Sequence, residues 1–502
     1  MAGQEHPAGT APRTRPARTL DTQVVVVGAG PTGLLLAGEL ALRGIQVTLV
    51  ERRHRPSTES RASTLHARTM ELLDSRGLLA DLAGPPHEPR GHFGGIPLDL
   101  TLPSPYPGQW KVPQTRTESV LEEWALGLGA DLRCGHTLHA VSDHGSHVEA
   151  AATSRHGHRL TLRAAHLVAC DGQDSTVRRL TGAAFPGTPP ARALLRADVE
   201  GIDIPARRFQ RLPAGLAVAA RNPAGVTRVM VHEFGATVRE RTTAPPSFEE
   251  IAAAWKRVTG EDITAGTPLW AGRFDDETRR LARYRHGRIL FAGDAAHRQL
   301  PIGGQALNLG LQDAYNLGWK LAATADGTAP AHLLDTYDSE RAAVGAAVLS
   351  NIRAQALLLL GGPEVEGLRT VLAELITHDA VRTHLAGMIS GLDVRYDVGG
   401  PPHPLRGARL PPVRLRTGES VCTTAELLRG GRGLLLALDG APPPLDTALA
   451  DRVDTVTAQA APGSPLAGTP AVLVRPDGHV AWAGGSDGNG LAQAAGRWFG
   501  TG

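Results

Sequence analysis

The chain alternates between short apolar runs and amphipathic stretches. Residues 22–30, TQVVVVGAG, form a β-branched run that predicts a strand buried on both faces. Residues 31–44 have helical spacing and end in a glycine, and residues 45–53, IQVTLVERR, form a second apolar run. Together these segments predict a βαβ unit near the amino terminus.

The pattern downstream is less regular. Helical spacing predicts a helix over 60–78, with Leu65, Leu72 and Leu73 on its apolar side, and another that begins at residue 114. One long helical pattern covers about 333–390. Residues 84–112 are rich in Pro and Gly, which predicts mostly irregular structure.

Composition excludes several classes of protein. The chain has 502 residues and a net charge of +2, a balance that argues against a nucleic-acid or polybasic membrane partner. Its three cysteines lie far apart, so we expect no disulfide framework and a reducing cytoplasm. No stretch of 18 apolar residues is found, and the first 20 residues lack a signal-peptide core, so we expect no membrane span and a disordered tail.

The motif GAGPTG directly follows the first predicted strand and opens the first helix. Gly28 permits a tight turn, Gly30 lets a pyrophosphate approach the backbone, and Gly33 lets helix and strand pack closely. Glu51 ends the second strand, where a carboxylate accepts hydrogen bonds from a ribose and repels a 2′-phosphate. The unit therefore predicts a dinucleotide site, for NAD or for FAD.

Two further predicted strands end in an aspartate. Asp171 and Gly172 follow LVAC, and Asp294 follows LFAG. Either carboxylate could simply cap a helix. A simple NAD dehydrogenase does not need these positions, whereas the long FAD molecule needs contacts to its ribitol chain and ring, so the two aspartates favour FAD.

These three stretches resemble the fingerprints of the class A flavoprotein aromatic hydroxylases, the family of para-hydroxybenzoate hydroxylase. The likeness is closest to members that oxidise aromatic polyketides such as angucyclines, anthracyclines and tetracyclines, and it covers about residues 21–400. It implies an FAD-dependent monooxygenase with tightly held FAD, NADPH or NADH as a transient reductant, and oxygen transfer to a polycyclic aromatic substrate from a flavin C4a-hydroperoxide. Residues 396–502, with AVLVRPDGHVAWAG, are similar to the family's thioredoxin-like C-terminal domain.

The resemblance implies an α/β fold and a division of the chain. A Rossmann-like FAD-binding domain, with a helical closing segment, takes residues 21–180 and 281–395. A β-sheet substrate domain is inserted at 181–280, with a contribution from 84–112. The tail occupies 1–20, and the thioredoxin-like domain begins at 396. The protein is expected to be a cytoplasmic monomer or homodimer.

The resemblance also assigns site residues. Glu51 corresponds to the ribose ligand, Arg61 and Gln114 to contacts with the diphosphate and ribitol, and Pro301 to the proline beside the flavin. The full set of expected cofactor contacts is Gly28, Gly30, Pro31, Thr32, Gly33, Glu51, Arg52, Arg61, Gln114, Asp171, Gly172, Asp294, Pro301, Gly303, Gly304, Gln305, Leu307 and Asn308. The chemistry is carried by the flavin, so no catalytic side chain is assigned.

The loop LPIGGQALN departs from the family pattern at Leu300, Ile302 and Ala306. Ala306 replaces a glycine, and its methyl group either restricts the flavin or is harmless if its φ is negative. The twenty histidines predict no metal site. Three alternatives remain open: a Baeyer–Villiger or ring-rearranging oxygenase, an antibiotic-inactivating monooxygenase, and a flavin-bound protein without oxygenase activity. A halogenase would need a WxWxIP stretch, which is absent.

Overall fold

A computed structural model provides the structure of the protein. It describes residues 18–56, 62–222, 224–238, 244–438 and 440–500. Arg61 and residues 1–17 of the expected tail lie outside these described residues. Residues 18–20, which were expected to belong to the tail, instead form a strand with Asp21 that pairs in parallel with residues 160–163.

Strands and helices follow one another throughout the described residues. The strands, in chain order, are β1 (Arg18–Asp21), β2 (Val24–Val27), β3 (Val47–Glu51), β4 (Thr64–His66), β5 (His87–Glu88), β6 (Arg90–Phe93), β7 (Ile96–Asp99), β8 (Gln109–Lys111), β9 (Asp131–Cys134), β10 (His136–Asp143), β11 (Val148–Ser154), β12 (Arg159–Ala164), β13 (His166–Ala169), β14 (Gly187–Thr188), β15 (Ala193–Glu200), β16 (Arg207–Leu212), β17 (Gly215–Arg221), β18 (Thr227–Glu233), β19 (Thr267–Asp275), β20 (Thr278–Arg280), β21 (Arg285–His286), β22 (Ile289–Phe291), β23 (His297–Arg298), β24 (Arg414–Thr417), β25 (Ser420–Thr423), β26 (Gly433–Ala437), β27 (Val453–Thr457), β28 (Gln459–Ala460), β29 (Ala471–Val474) and β30 (Val480–Gly484). The α-helices are α1 (Pro31–Ala41), α2 (Ala67–Asp74), α3 (Gln114–Gly127), α4 (Thr176–Thr181), α5 (Phe248–Thr259), α6 (Gln305–Ala325), α7 (Asp335–Leu360), α8 (Glu366–Ile376), α9 (Asp379–Ser390) and α10 (Leu491–Phe499). Short 3-10 helices cover Ala80–Leu82, Gly293–Ala295, Pro363–Val365, Glu426–Leu428 and Thr447–Leu449.

A six-stranded sheet in the order β21-β22-β13-β2-β3-β9 forms the centre of the molecule. Its strands β22, β13, β2, β3 and β9 are parallel, and β21 is an antiparallel edge strand. The four valines of β2 are buried on both faces, as their continuous apolar run predicts. Because neighbouring parallel strands end at the same edge, the loops after β3, β2, β13 and β22 lie side by side.

Three sequence expectations differ from the structure. The helix expected over 60–78 is limited to α2, because Leu65 lies in β4 and pairs with Trp110 of β8. Residues 84–112 are not simply irregular, since they contain β5 to β8. The long helical pattern over 333–390 is three helices: α7 ends at Gly361, Gly362 and Pro363, and Thr377 and His378 separate α8 from α9.

The inserted region forms a five-stranded antiparallel sheet in the order β16-β17-β18-β15-β19. One face carries Ala197, Ala217 and Val229 and packs on Ile251 and Trp255 of α5. Since side chains alternate between the faces of a strand, the residues between them point to the opposite face. That face is turned toward the loop that precedes α6, where Leu194 and Leu216 pack against Leu300 and Ile302.

The C-terminal region is built on a four-stranded sheet in the order β27-β26-β29-β30. Strands β26 and β27 are parallel, β29 is antiparallel to both β26 and β30, and α10 follows, which is the arrangement of a thioredoxin-like sheet. Among the described residues Cys422 is the single cysteine of this region, so the sheet carries no dithiol pair.

The turn between β29 and β30 docks the C-terminal region onto α6 and α7 through buried charges. The guanidinium of Arg475 donates to both Glu340 carboxylate oxygens at 2.6 and 2.9 Å, and to Asp477 at 3.1 Å. Lys320 lies 2.7 Å from Glu340, and Arg68 donates to the Asp477 carbonyl at 3.0 Å. Removing one partner from such a buried group leaves an uncompensated charge, so this interface depends on its complete set.

Helix α7 is long and apolar enough to cross a membrane by length and composition alone. Charged residues such as Arg341 and Arg353 interrupt this helix, so it contains no run of 18 apolar residues, in line with the sequence expectation. Half of its most apolar stretch of 18 residues is buried inside the protein, and the helix carries the buried ionic residues Glu340 and Arg341. We interpret α7 as a core helix that packs against α6.

We expect Arg475→Met to lower the stability of the protein by about 3–5 kcal/mol, because Glu340 and Asp477 would remain buried without their shared cation. Thermal unfolding followed by circular dichroism measures this change. Lys256→Met is the matched control, because its ion pair with Asp262 is exposed to solvent and contributes little to stability. Equal unfolding temperatures for the Arg475 variant and the wild type would contradict the assigned role of the interface.

Candidate active site

The expected site residues meet along one edge of the central sheet. The loops that follow β2, β3, β13 and β22 carry Gly28–Gly33, Glu51, Asp171–Gly172 and Gly293–Asp294. These strands are neighbours in the sheet, so segments that are far apart in sequence form one continuous groove. Their spatial order follows the strand order, with Glu51 at one end and Asp294 at the other.

Glycine is present at the three positions of the first loop for different structural reasons. A methyl group on Gly28 would lie 2.4 Å from the Cys170 carbonyl oxygen, and one on Gly33 would lie 2.0 Å from the Gly28 carbonyl oxygen. Both are therefore required by packing within the protein. A methyl group on Gly30 would meet no atom of the described chain within 4 Å. The open space at Gly30 is the cradle that a pyrophosphate would fill.

The Glu51 carboxylate is buried and held by the loop that it faces. It accepts hydrogen bonds from the amide of Ala29 at 2.8 Å and from the amide of Arg53 at 2.8 Å. The Arg53 guanidinium adds a contact at 3.1 Å. Arg52, the expected contact, has an exposed side chain, so it is Arg53 that sets the charge beside Glu51. A carboxylate has about four acceptor positions, so capacity remains for a ribose hydroxyl.

Gln114 begins α3 beside the same end of the groove. It exchanges backbone and side-chain hydrogen bonds with Ala62, and its amide donates to Glu118 at 2.9 Å. Burial raises the pKa of Glu118. The Arg53 guanidinium lies 4.0 Å from the same carboxylate. Gln114 thus joins the groove to the segment that follows Arg61.

Asp171 performs the capping role that the sequence left open. One of its oxygens accepts from the amides of Thr176 and Val177 at 2.7 and 3.1 Å, at the start of α4. Its other oxygen is buried without a partner in the described chain. Burial raises the pKa of this carboxyl group. Gly172 has a φ of +82° and open space beside it, so the Asp-Gly turn presents bare backbone to the groove.

Arg178 connects this turn to the loop after β22. Its guanidinium donates to the Ala295 carbonyl at 2.9 Å and to the Gln173 carbonyl at 2.6 Å. Asp294 lies in the 3-10 helix that follows β22, and its side chain is exposed between buried neighbours. Thr32 packs against this loop, because a methyl group on Gly293 would lie 2.8 Å from the Thr32 hydroxyl.

Asp313 of α6 holds the segment that connects β22 to α6 in place. Its fully buried carboxylate contacts His297 Nε2 at 2.8 Å, accepts from the Gly293 amide at 3.1 Å, and pairs with Arg341 Nε at 2.7 Å. Burial raises the pKa of Asp313, but the charges of Arg341 and His297 lower it by more, so it lies below its ordinary value. His297 therefore has a structural role in this segment.

The loop that precedes α6 is fastened to β4. Asn308 accepts from the His66 amide at 2.8 Å and donates to the carbonyls of Thr64 and Gly304 at 3.0 and 2.7 Å. His66 Nε2 lies 2.7 Å from the Gly303 carbonyl oxygen. Burial lowers the pKa of His66 to about 4, although its bond to Gly303 acts in the opposite direction. The His66 ring is therefore neutral, and its Nε2–H donates to the Gly303 carbonyl oxygen.

The departures from the family pattern have structural explanations. Leu300 and Ile302 are buried in the apolar cluster that joins this loop to the inserted sheet. Ala306 lies inside α6, where φ is negative, so its methyl group causes no backbone strain. Leu307 is partly buried, and the core face of the helix is formed by the buried residues Leu311, Ala314, Leu317 and Leu321.

The groove suits an elongated dinucleotide. Gly303 and Gly304 have φ values of +65° and +69° and expose their backbone at the start of α6, and Pro301 is exposed beside them. Gln305 is buried with both side-chain amide atoms unpartnered among the described residues. Sequence reasoning missed His66, Asp313 and Arg341, which hold this loop. No local motif marks them, because each acts on a segment distant in sequence.

We expect Gly30→Ala and Gly33→Ala to fail in different ways. Gly30→Ala should fold normally and bind FAD about tenfold or more weakly, since a loss of about 1.4 kcal/mol corresponds to that factor. Gly33→Ala should lose about 1–3 kcal/mol of stability through overpacking against Gly28. Flavin absorbance after gel filtration and the unfolding temperature separate the two effects. Unchanged FAD binding in a folded Gly30→Ala variant would contradict this position for the pyrophosphate.

Comparisons with known proteins identify the family of the chain. The chain matches the model of an FAD binding domain over residues 21–352 and that of the aromatic-ring hydroxylase C-terminal region over residues 403–502. It is 42% identical over 507 residues to the 12-dehydrotetracycline 5-monooxygenase/anhydrotetracycline 6-monooxygenase of Streptomyces rimosus, in an alignment that covers 95% of this chain and 98% of that relative.

Two solved structures are similar over nearly their whole length. CabE, an aromatic hydroxylase from angucycline biosynthesis, is 47% identical with a TM-score of 0.90, and the match covers 96% of this chain and 99% of CabE. BexE, studied for oxidation during BE-7585A biosynthesis, is 49% identical with a TM-score of 0.89 and the same coverage. The expected fold class is confirmed. The chain belongs to the aromatic-ring hydroxylase family and is an FAD-dependent monooxygenase that uses NAD(P)H and O₂.

Proposed function

We propose that FAD lies along the groove with its ribose at Glu51, its pyrophosphate at Gly28–Gly33, and its ring at the loop Pro301–Asn308. The open cradle at Gly30 and the exposed Asp294 support this placement. Asp171 and Gly172 lie between these ends, where the middle of the molecule would pass. Arg61 belongs to the proposal by resemblance alone.

FAD, when bound, supplies hydride acceptance from NAD(P)H and the activation of O₂. The protein's contribution is to hold the ring and exclude water from it. The amino terminus of α6 offers amides and the positive end of a helix dipole toward the ring edge that carries negative charge after reduction. Gly303 and Gly304 allow these amides to approach, and Asn308 with His66 fixes the loop that carries them.

The face of the inserted sheet opposite α5, which is turned toward the loop that precedes α6, is the surface that we assign to substrate. Arg196, Met230 and Phe274 lie on this face, opposite α5, and Phe274 and Met230 continue the cluster that contains Leu300. The Arg196 guanidinium lies 5.0 Å from the Trp270 ring centre and 5.8 Å from that of Phe274. The Arg196 cation and the rings of Trp270 and Phe274 therefore lie together beside the loop that precedes α6.

Arg196 is the single observation that carries the assignment. Its side chain is largely buried, and its Nε atom has no partner among the described residues. Burial lowers its pKa to about 10, with a further contribution from Arg228, so it remains a cation at neutral pH. A buried cation over aromatic rings suits an electron-rich fused ring system with a phenol or quinone oxygen. We propose a polycyclic aromatic secondary metabolite as substrate.

The remaining organisation is part of the same proposal. The FAD-binding domain takes 21–180 and 281–395, the substrate domain 181–280 with strands from 84–112, and the thioredoxin-like domain 396–502. The family matches over 21–352 and 403–502 support this division. We propose a cytoplasmic monomer or homodimer, in line with the low net charge and three unpaired cysteines.

Polycyclic phenols and quinones should accelerate NAD(P)H oxidation strongly, and single-ring acids should do so weakly. Arg196→Met should raise the KM for an active polycycle by about 10- to 100-fold, because a hydrogen bond to a charged group contributes about 1.5–3 kcal/mol. Stopped-flow and oxygen-electrode assays measure both effects. Arg221→Met, at an exposed end of β17, is the control and should leave KM unchanged.

The assay also separates the alternatives. A stronger response to single-ring acids, or an unchanged KM in Arg196→Met, would contradict the assigned surface. The connectivity of the product distinguishes ring hydroxylation from a Baeyer–Villiger insertion, and loss of antibiotic potency on oxidation would indicate an inactivating enzyme.

A further inference from the structure

A cluster of metal-ligating side chains lies on the turn between β10 and β11, away from the groove. His144 Nε2 is 3.6 Å from one Glu149 carboxylate oxygen, and His147 Nε2 is 3.5 Å from the other. The ligand atoms of the three residues all lie within 4.8 Å of one another, and among the described residues this is the one such group. This group contrasts with the sequence expectation of no metal site, which rested on the absence of an HxxxH pair with a matching carboxylate.

The two histidine–carboxylate distances are those between neighbouring ligands of a metal centre. Zinc binds histidine nitrogen and carboxylate oxygen at about 2.0–2.2 Å in tetrahedral geometry, which places neighbouring ligand atoms about 3.3–3.6 Å apart. The two imidazole rings are stacked, with ring centres 4.8 Å apart and an interplanar angle of 17°, so one ring has to turn about its side-chain bonds before both Nε2 lone pairs point at one ion. His147 Nδ1 lies 3.0 Å from the Ser146 hydroxyl, a contact that orients the ring and leaves Nε2 available.

The turn itself is rigidly held. The His144 amide donates to the His147 carbonyl at 2.9 Å, and Asp143 accepts from the amides of Gly145 and Arg288 at 2.8 and 3.0 Å. Arg288 directly precedes β22, so the turn lies at the amino-terminal edge of the parallel strands. The flavin groove lies at the opposite, carboxyl-terminal edge.

We propose that His144, His147 and Glu149 bind a divalent transition-metal ion, with Zn²⁺ as the natural occupant and solvent as the fourth ligand. Two imidazoles and one carboxylate favour zinc, copper or nickel over magnesium or calcium. The position on the far edge of the sheet makes the ion a staple for the β10–β11 turn. It takes no part in oxygen transfer, so metal removal leaves turnover unchanged.

Untagged, FAD-loaded full-length enzyme is titrated with Zn²⁺ against a chromogenic chelator. One equivalent should bind, and His147→Ala and Glu149→Gln should each weaken binding by more than about tenfold, at least the effect of losing a group that hydrogen-bonds to a metal ligand. His158→Ala is the control, because His158 and His156 form a similar exposed pair on the next turn without a nearby carboxylate partner in the described contacts.

Co²⁺ provides an independent readout. Tetrahedral Co²⁺ should give absorption bands at longer wavelength than oxidised flavin in the wild type and in His158→Ala, and none in His144→Ala. Because the three side chains are partly or fully exposed, FAD content should stay unchanged in every variant. The proposal is overturned if Zn²⁺ affinity is the same in wild type and in His144→Ala/His147→Ala, or if His158→Ala weakens binding equally.

Discussion

The buried carboxylate of Asp313 holds together the segment after β22 and helix α6, which carry the two loops that we propose to bind the flavin. We call these the flavin loops, and their positions depend on this carboxylate. It has no access to solvent, yet it remains ionised because Arg341, His297 and the Gly293 amide surround it. Each of these partners belongs to a different segment: α7, the strand β23 and the loop after β22. A single charge therefore fixes both α6, whose start we propose to lie beside the flavin ring, and the turn that carries Asp294. An isolated charge at this depth would cost several kcal/mol, so the three partners are retained together.

The contact between Asp313 and Arg341 of α7 also gives the C-terminal region a structural role that requires no thiol chemistry. Glu340 and Arg341 are consecutive residues of α7, and they face different partners. Arg341 pairs with Asp313 and donates to the Tyr396 hydroxyl at 3.0 Å, whereas Glu340 receives Arg475 from the β29–β30 turn. The docking of the thioredoxin-like sheet and the position of the flavin loop thus depend on the same helix turn. We interpret the C-terminal region as a support that holds α7 in register with α6.

The sequence predicts those parts of the fold that are encoded locally. The β-branched run of β2, the glycines after it and Glu51 belong to one βαβ unit, so spacing alone places them in a site. Ala306 could be judged only from the structure, since its effect depends on whether the helix has begun. The helix expected through Leu65 failed because a long-range strand pairing with Trp110 overrides local spacing. His66, Asp313 and Arg341 carry no motif, and their roles follow from contacts across 16 to more than 200 residues.

The most direct test of this role of Asp313 is the rate of FAD release from Asp313→Asn, followed by the rise of free-flavin fluorescence after dilution of the holoenzyme. We expect release at least about tenfold faster than in wild type, because loss of the charge would unfasten both loops, while Asp379→Asn at an exposed ion pair should release FAD at the wild-type rate. Wild-type release from an Asp313→Asn variant whose unfolding temperature shows that it is folded would contradict the dependence of the flavin loops on this carboxylate.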